Sequence, residues 1–151
     1  MRFIESVKGT YAAVNFTDET LDLLVELQNK LKLPNPTPRD KLHCTILYSR
    51  VYVPFIPSDK EILLADSAWL EVFETRDNYN ALVLRFDSDH LQFRHMVGKA
   101  LGATYDFPDY LPHVTLSYDI GSLKFDLNNK FETKLVAAGE YVEDLDPDWT
   151  A

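Results

Sequence analysis

The sequence predicts an α+β fold of two pseudo-symmetric lobes, with antiparallel sheets flanked by helices and a cleft between them. Three observations carry this. Two tetrapeptides, His43-Cys44-Thr45-Ile46 and His113-Val114-Thr115-Leu116, share the pattern His, apolar, Thr, apolar. Around each of them the order strand, helix, proline-bearing loop, His-x-Thr strand recurs. A chain of 151 residues can bury one substantial core but not two ordinary ones, so the repeat belongs within a single domain spanning residues 1–151.

Each element follows from local pattern. Gly9-Thr10-Tyr11-Ala12-Ala13-Val14-Asn15-Phe16 is an apolar run bounded by Gly and by Thr17-Asp18, a strand signature. Leu21, Leu24, Val25, Leu27 and Leu31 then recur at helical spacing. Asp18, Glu19 and Asp22 suit that helix's N-terminus, and Lys30 and Lys32 its C-terminus. Pro34, Pro36 and Pro38 forbid continuation and make a loop. Leu42 to Val53 reads as extended, and Ser58-Asp59-Lys60-Glu61 as the start of a short helical turn. Ser67–Phe73 and Asn80–Phe86 read as a hairpin around Arg76-Asp77-Asn78. Asp87-Ser88-Asp89 opens a second helix, whose face carries Phe93, Val97, Ala100 and Leu101 and which stops at Gly102. A loop with two prolines leads to the strand His113–Asp119. Phe131 to Tyr141 is a last strand, followed by an acidic tail carrying Trp149.

Displaced so that His43 falls on His113, the chain registers on itself without a gap over about 9–50 and 79–120. Ala13-Val14-Asn15-Phe16 meets Val83-Leu84-Arg85-Phe86, Leu31 meets Leu101, and Thr45 and Tyr48 meet Thr115 and Tyr118. Strand alternation puts His and Thr of each tetrapeptide on one face. Packing of the lobes about a pseudo-two-fold would set the two His-x-Thr faces opposite each other across a cleft.

Composition narrows the partners. The chain is 46% hydrophobic, 26% charged and 13% aromatic, hence globular, and its formal net charge is -9. That balance speaks against long nucleic acid or an anionic membrane, both of which call for a basic face, but not against a small anionic ligand. Cys44 is the sole cysteine, so no intrachain disulfide forms and a reducing compartment is expected. No signal peptide or span-length apolar stretch is visible, and a soluble, cytoplasmic protein is the expectation.

The tetrapeptides carry the chemistry. Cleaving a phosphodiester through a neighbouring hydroxyl needs one group to take a proton and another to give one to the leaving oxygen. Imidazole, with a pKa near 6.5, does either close to neutrality. A Thr hydroxyl on the same face donates to a non-bridging phosphate oxygen. Two of each supply acid, base and paired donors with no metal or cofactor. A single His-x-Thr is more often an ordinary strand segment; the matched pair is what stands out.

Duplicated His-x-Thr strands in a bilobal α+β chain of this size resemble the two-histidine (2H) phosphoesterase superfamily, and most nearly the phage anti-CBASS cyclic-oligonucleotide phosphodiesterases. The resemblance implies that His43, Thr45, His113 and Thr115 are catalytic. It implies a small cyclic di- or trinucleotide substrate whose 3′–5′ bonds are cut by 2′-hydroxyl attack. Such enzymes destroy the messengers by which bacteria trigger anti-phage defence, which would place this one in the host cytoplasm. Tyr11, Trp69 and Trp149 are candidates for base stacking, and Glu140 or Glu143 for accepting from a base edge; ordinary packing is the competing reading of each. Trp149 on the tail suggests a lid.

Other residues fare less well. His90 and His95 are five apart on a helix and share no metal-binding face. Cys44 points away from His43 and Thr45, into the core. Arg39, Lys41, Arg50 and Arg76 would bring positive charge to the cleft mouth, or simply meet solvent. Two other functions compete: an RNA-end enzyme opening 2′,3′-cyclic phosphates or cutting 2′–5′ linkages, and a non-catalytic module that sequesters nucleotides.

Overall fold

The pairing of two long strands turns the lobes into one sheet. A computed structural model describes residues 8–75 and 77–145. In chain order the elements are β1 (Gly9–Phe16), α1 (Asp18–Leu31), a 3₁₀ turn (Arg39–Lys41), β2 (Cys44–Ser49), β3 (Ile62–Glu74), β4 (Asn80–Arg85), α2 (Asp89–Ala100), β5 (His113–Ser117) and β6 (Phe131–Leu145). The six strands form an antiparallel sheet in the order β2-β1-β6-β3-β4-β5. The α+β class and antiparallel pairing agree with the sequence, and the sheets expected of the two lobes are joined edge to edge into one.

Each long strand has two partners along its length. The first half of β3 pairs with the first half of β6, from Ile62 opposite Ala137 to Ala68 opposite Phe131. Beyond that, β3 pairs with β4 and β6 with β1. The sequence pattern shows only Ser67–Phe73 of β3 because register shifts between Leu63 and Ser67 break the alternation that marks a strand. The helical turn expected at Ser58 is absent. Ser58 instead exchanges bonds with β6, its carbonyl accepting from Glu140 N at 2.7 Å and its amide donating to the Glu140 carboxylate at 2.9 Å.

The pairings of one lobe recur at the equivalent positions of the other. Ala12 faces Leu47, Ala13 faces Thr45 and Val14 faces Cys44, with a bulge between Ala12 and Ala13. In the other lobe Leu82 faces Ser117, Val83 faces Thr115 and Leu84 faces Val114, with the bulge between Leu82 and Val83. The correspondence extends to the third strand of each lobe: Ala13 faces Tyr141 as Val83 faces Glu71, and Asn15 faces Gly139 as Arg85 faces Trp69.

Both helices are capped by hydroxyls. Thr17 Oγ1 accepts from the Thr20 amide, and Ser88 Oγ from the Leu91 amide, both at 3.3 Å. Alternation then sorts the strand residues. Ala12, Val14, Phe16, Cys44, Ile46, Leu70, Leu84, Val114 and Leu116 form the core together with Leu24 of α1 and Leu91 of α2. Ala13 and Val83 are equally buried but lie outside that core, on the opposite face.

The loops tie each lobe to the other. After α1, Thr37 N donates to the Leu116 carbonyl and Thr37 Oγ1 to the Thr115 carbonyl, while Gln28 Nε2 donates to the Thr37 and Leu116 carbonyls. After α2, the Thr104 amide donates to Ser49 Oγ and Thr104 Oγ1 accepts from the Arg50 amide. The terminal strands β2 and β5 thereby approach each other. Among the described residues no helix is long and apolar enough to cross a membrane.

Candidate active site

Strand register brings the two tetrapeptides into matching positions. Thr45 stands opposite Ala13 and Thr115 opposite Val83. Cross-strand partners share a face, so both threonines project over the two small buried residues that form the floor of the site, away from the helices. His43 immediately precedes β2, and His113 opens β5.

The imidazoles are held alike. His43 Nδ1 donates to the Lys41 carbonyl at 2.7 Å, and His113 Nδ1 to the Leu111 carbonyl at 2.8 Å. A carbonyl only accepts, so Nδ1 carries the hydrogen and Nε2 is the nitrogen left for proton transfer. His113 lies below the ordinary imidazole pKa because burial disfavours its charge. The Leu111 carbonyl opposes this shift, Arg85 and His43 add to it, and Glu71 opposes it. His43 is thus near enough to influence His113 electrostatically.

Aromatic rings border both histidines. The Tyr11 ring is 6.3 Å from that of His43, edge to face, and 6.2 Å from that of Tyr141. Its hydroxyl shares a 2.8 Å hydrogen bond with Thr45 Oγ1, and burial raises its pKa. Phe73 meets His113 edge to face at 4.9 Å. Trp69 is on the same face of β3 as Phe73, with the Arg85 guanidinium 5.0 Å and the Lys130 ammonium 5.5 Å from its ring centre. Arg85 also donates to Glu71 Oε2 at 2.7 Å and to the Pro112 carbonyl at 3.2 Å.

The structure therefore gathers His43, Thr45, His113, Thr115 and Tyr11 on one face, with Trp69 on the same side of the sheet. Glu140 is placed elsewhere. It lies opposite the core residue Val14, and its carboxylate, 3% exposed, accepts from Arg94 of α2 and from the Ser58 amide. Strand alternation explains the difference: Tyr141 and Glu143 take the site-facing positions of β6, so Glu140 turns to the helices. Trp149 and Arg76 lie outside the described residues. Cys44 is buried in the core, its thiol pushed up to about 12 by burial. Arg39 pairs with Asp18 and Asp22, and Arg50 with Asp106. His95 stacks on Tyr110 at 4.4 Å and donates through Nδ1 to the Ile46 carbonyl.

Sequence reasoning missed Tyr141, Phe73, Glu71 and Arg85 as neighbours of the histidines. The signal was present: each occupies a position that strand alternation assigns to the Tyr11 or Trp69 face. Reading it required the pairing of β6 with β1 and of β3 with β4, which no local pattern gives.

Known proteins resemble this chain in sequence and in fold. The chain is 48% identical over 149 residues to the anti-CBASS protein Acb1 of Enterobacteria phage T4, covering 99% of this chain and 96% of that protein. It is 47% identical over 149 residues to the protein of that description from Acinetobacter phage Ac42, covering 99% of each. Among solved structures, Escherichia coli LigT complexed with NADP+ superposes with a TM-score of 0.52 at 13% identity, over 92% of this chain and 98% of that one. LigT complexed with 3′-AMP gives 0.52 at 14% identity, over 93% and 96%. The fold is that of LigT and of a solved phosphoesterase. The family described as anti-CBASS protein Acb1 matches residues 8–151, and the chain belongs to it.

Proposed function

We propose that this protein is a phosphodiesterase that hydrolyses the 3′–5′ bonds of cyclic di- and trinucleotide messengers, and by doing so counters CBASS defence as its relatives' name describes. The observation that carries the reading is the matched presentation of two imidazoles. Each is fixed through Nδ1 to the carbonyl two residues before it, each has Nε2 left for proton transfer, and each has a Thr hydroxyl two residues on. Simple sequestration of a nucleotide does not require two imidazoles held ready in this way.

A ribose 2′-hydroxyl attacks the adjacent phosphorus as one imidazole takes its proton. The other imidazole, protonated, gives a proton to the departing 5′-oxygen. Thr45 and Thr115 donate to the non-bridging oxygens, where charge accumulates. The resulting 2′,3′-cyclic phosphate is opened by water with the two roles reversed. Tyr11 and Trp69, on the same side of the sheet, are the rings this scheme assigns to the bases.

The test is incubation with a panel of cyclic dinucleotides and 2′,3′-cyclic mononucleotides in excess EDTA, beside His43→Ala and His113→Ala. Cleavage of the cyclic dinucleotides by the parent, with losses of about a hundredfold or more in either variant, is expected. Loss of activity in EDTA would refute the metal-free scheme, and activity surviving both substitutions would refute the site. Turnover confined to 2′,3′-cyclic mononucleotides would make this an RNA-end enzyme, and binding without turnover a sequestering module.

A further inference from the structure

The two halves of the site have the same backbone but not the same surroundings. The bonds from His43 to Lys41 and from His113 to Leu111 are equivalent in the repeat. Around them the correspondence fails. Where the second lobe has Arg85, the first has Asn15; Glu71 is matched by Tyr141, Trp69 by Gly139 and Ala81 by Tyr11. A buried cation thus stands opposite His113, and the equivalent position of the first lobe holds the exposed amide of Asn15.

Arg85 is built in. It is 8% exposed and stands opposite His113 in the β4–β5 ladder. It contacts the Pro112 carbonyl, the Glu71 carboxylate and the face of Trp69. The Pro112 carbonyl belongs to the peptide that leads into His113, so Arg85 grips the backbone from which that imidazole projects. Glu71 and Trp69, two residues apart on β3, fix the guanidinium in turn.

Resting on the phosphodiesterase reading, we propose that Arg85 is a positioning residue that makes the two histidines unequal, holding His113 as the base and leaving His43 as the acid. In the first step the 2′-hydroxyl proton passes to His113 Nε2 and the 2′-oxygen bonds to phosphorus. The bond from phosphorus to the 5′-oxygen breaks, its electron pair goes to that oxygen, and His43 Nε2 supplies the proton. The products are a 2′,3′-cyclic phosphate and a free 5′-hydroxyl, with no change of oxidation state.

The charges facing His113 agree with this assignment. Burial disfavours its protonation, as do Arg85 on β4 and His43 ahead of β2; the Leu111 carbonyl and Glu71 on β3 favour it. Phe73, packed on the ring, carries no charge. A base must be unprotonated when substrate arrives, and the balance keeps His113 so.

Two measurements on the full chain decide the matter. The first is NMR titration of the histidine side chains without substrate. The His113 midpoint is expected to rise by roughly half a pH unit or more in Arg85→Gln and to fall in Glu71→Gln, with Arg85→Lys near the parent. A purely structural Arg85 would not give shifts of opposite sign in the two variants, and absence of opposed shifts overturns the proposal. Should Arg85→Gln not fold, Glu71→Gln and Arg85→Lys carry the comparison. The second uses a cyclic dinucleotide with sulfur at the bridging 5′ position, whose thiolate departs without an acid. His43→Ala should regain about a hundredfold or more of its lost rate on this substrate and His113→Ala should not; the reverse rescue overturns the assignment. If the parent cleaves neither substrate, the phosphodiesterase reading fails, and the titration still decides whether Arg85 sets the protonation of His113.

Discussion

At the scale of single residues, the proposed mechanism assigns phosphate contact to hydroxyls that share a face with the imidazoles. Thr45 and Thr115 are paired with small residues, Ala13 and Val83, so valine matches their shape, although at Thr45 it also leaves the Tyr11 hydroxyl without that partner. Thr45→Val and Thr115→Val are each expected to lower kcat by about a hundredfold on a cyclic dinucleotide, with KM changed less. Serine at either position should restore most of the rate. A valine variant with parental kcat would show that the hydroxyl does not meet charge in the transition state. Tyr11→Phe removes the partner of Thr45 Oγ1 but keeps the ring, so a milder loss is expected than from Thr45→Val. The His and Thr pairs were legible because a tetrapeptide alternation is local. Tyr141, Phe73, Glu71 and Arg85 were not, because their neighbourhood is created by strand pairings that join distant parts of the chain, such as Tyr11 with Glu143.

At the scale of elements, β6 shows how alternation separates chemistry from support. Tyr141 faces the site, whereas Glu140 holds the sheet to α2 through Arg94 and to the segment at Ser58. Removing one member of a buried ion pair strands the other, so Glu140→Ala should cost about 3–5 kcal/mol in urea unfolding. A loss under about 1 kcal/mol would mean that Arg94 finds another partner at little cost. Gly9 opens β1 where a Cβ would collide with the Ser49 carbonyl oxygen, a backbone atom that cannot swing aside. Gly9→Ala should therefore force β1 and β2 apart at that end and destabilise by about 1–3 kcal/mol, measured in the same way. The elements themselves were mostly legible: β1, both helices and the His-x-Thr strands stand close to where pattern and capping residues put them. The length of β3 was hidden by its bulges, and the union of two lobes into one sheet was hidden because its seam pairs β3 with β6 through segments of mixed burial.

At the scale of the whole molecule, the two lobes cannot come apart independently. Gln28 of α1 is bonded to the β5 carbonyl of Leu116, and His95 of α2 to the β2 carbonyl of Ile46, so each helix is fastened to a strand of the other lobe. Unfolding should be a single cooperative event, and its dependence on pH follows from the two lowered histidines. Burial is the main cause at both His95 and His113, with Lys99 adding to it at His95 and the Ile46 carbonyl opposing it. A histidine whose folded pKa lies below its unfolded value binds fewer protons in the fold than in the unfolded chain. Stability is then fully present above the unfolded value near 6.5, and is lost as pH falls from there through the folded values. The melting temperature should accordingly fall by about 2–4 °C or more between pH 7.5 and pH 5 in calorimetry. His95→Gln keeps a donor for Ile46 but cannot charge, so it should lower the melting temperature at pH 7.5, through loss of the stack on Tyr110, while flattening part of the fall toward pH 5. A parent whose melting temperature is level from pH 7.5 to pH 5 would mean that the fold tolerates both imidazoles charged, and would remove the electrostatic ground for treating His113 as the neutral partner of the pair.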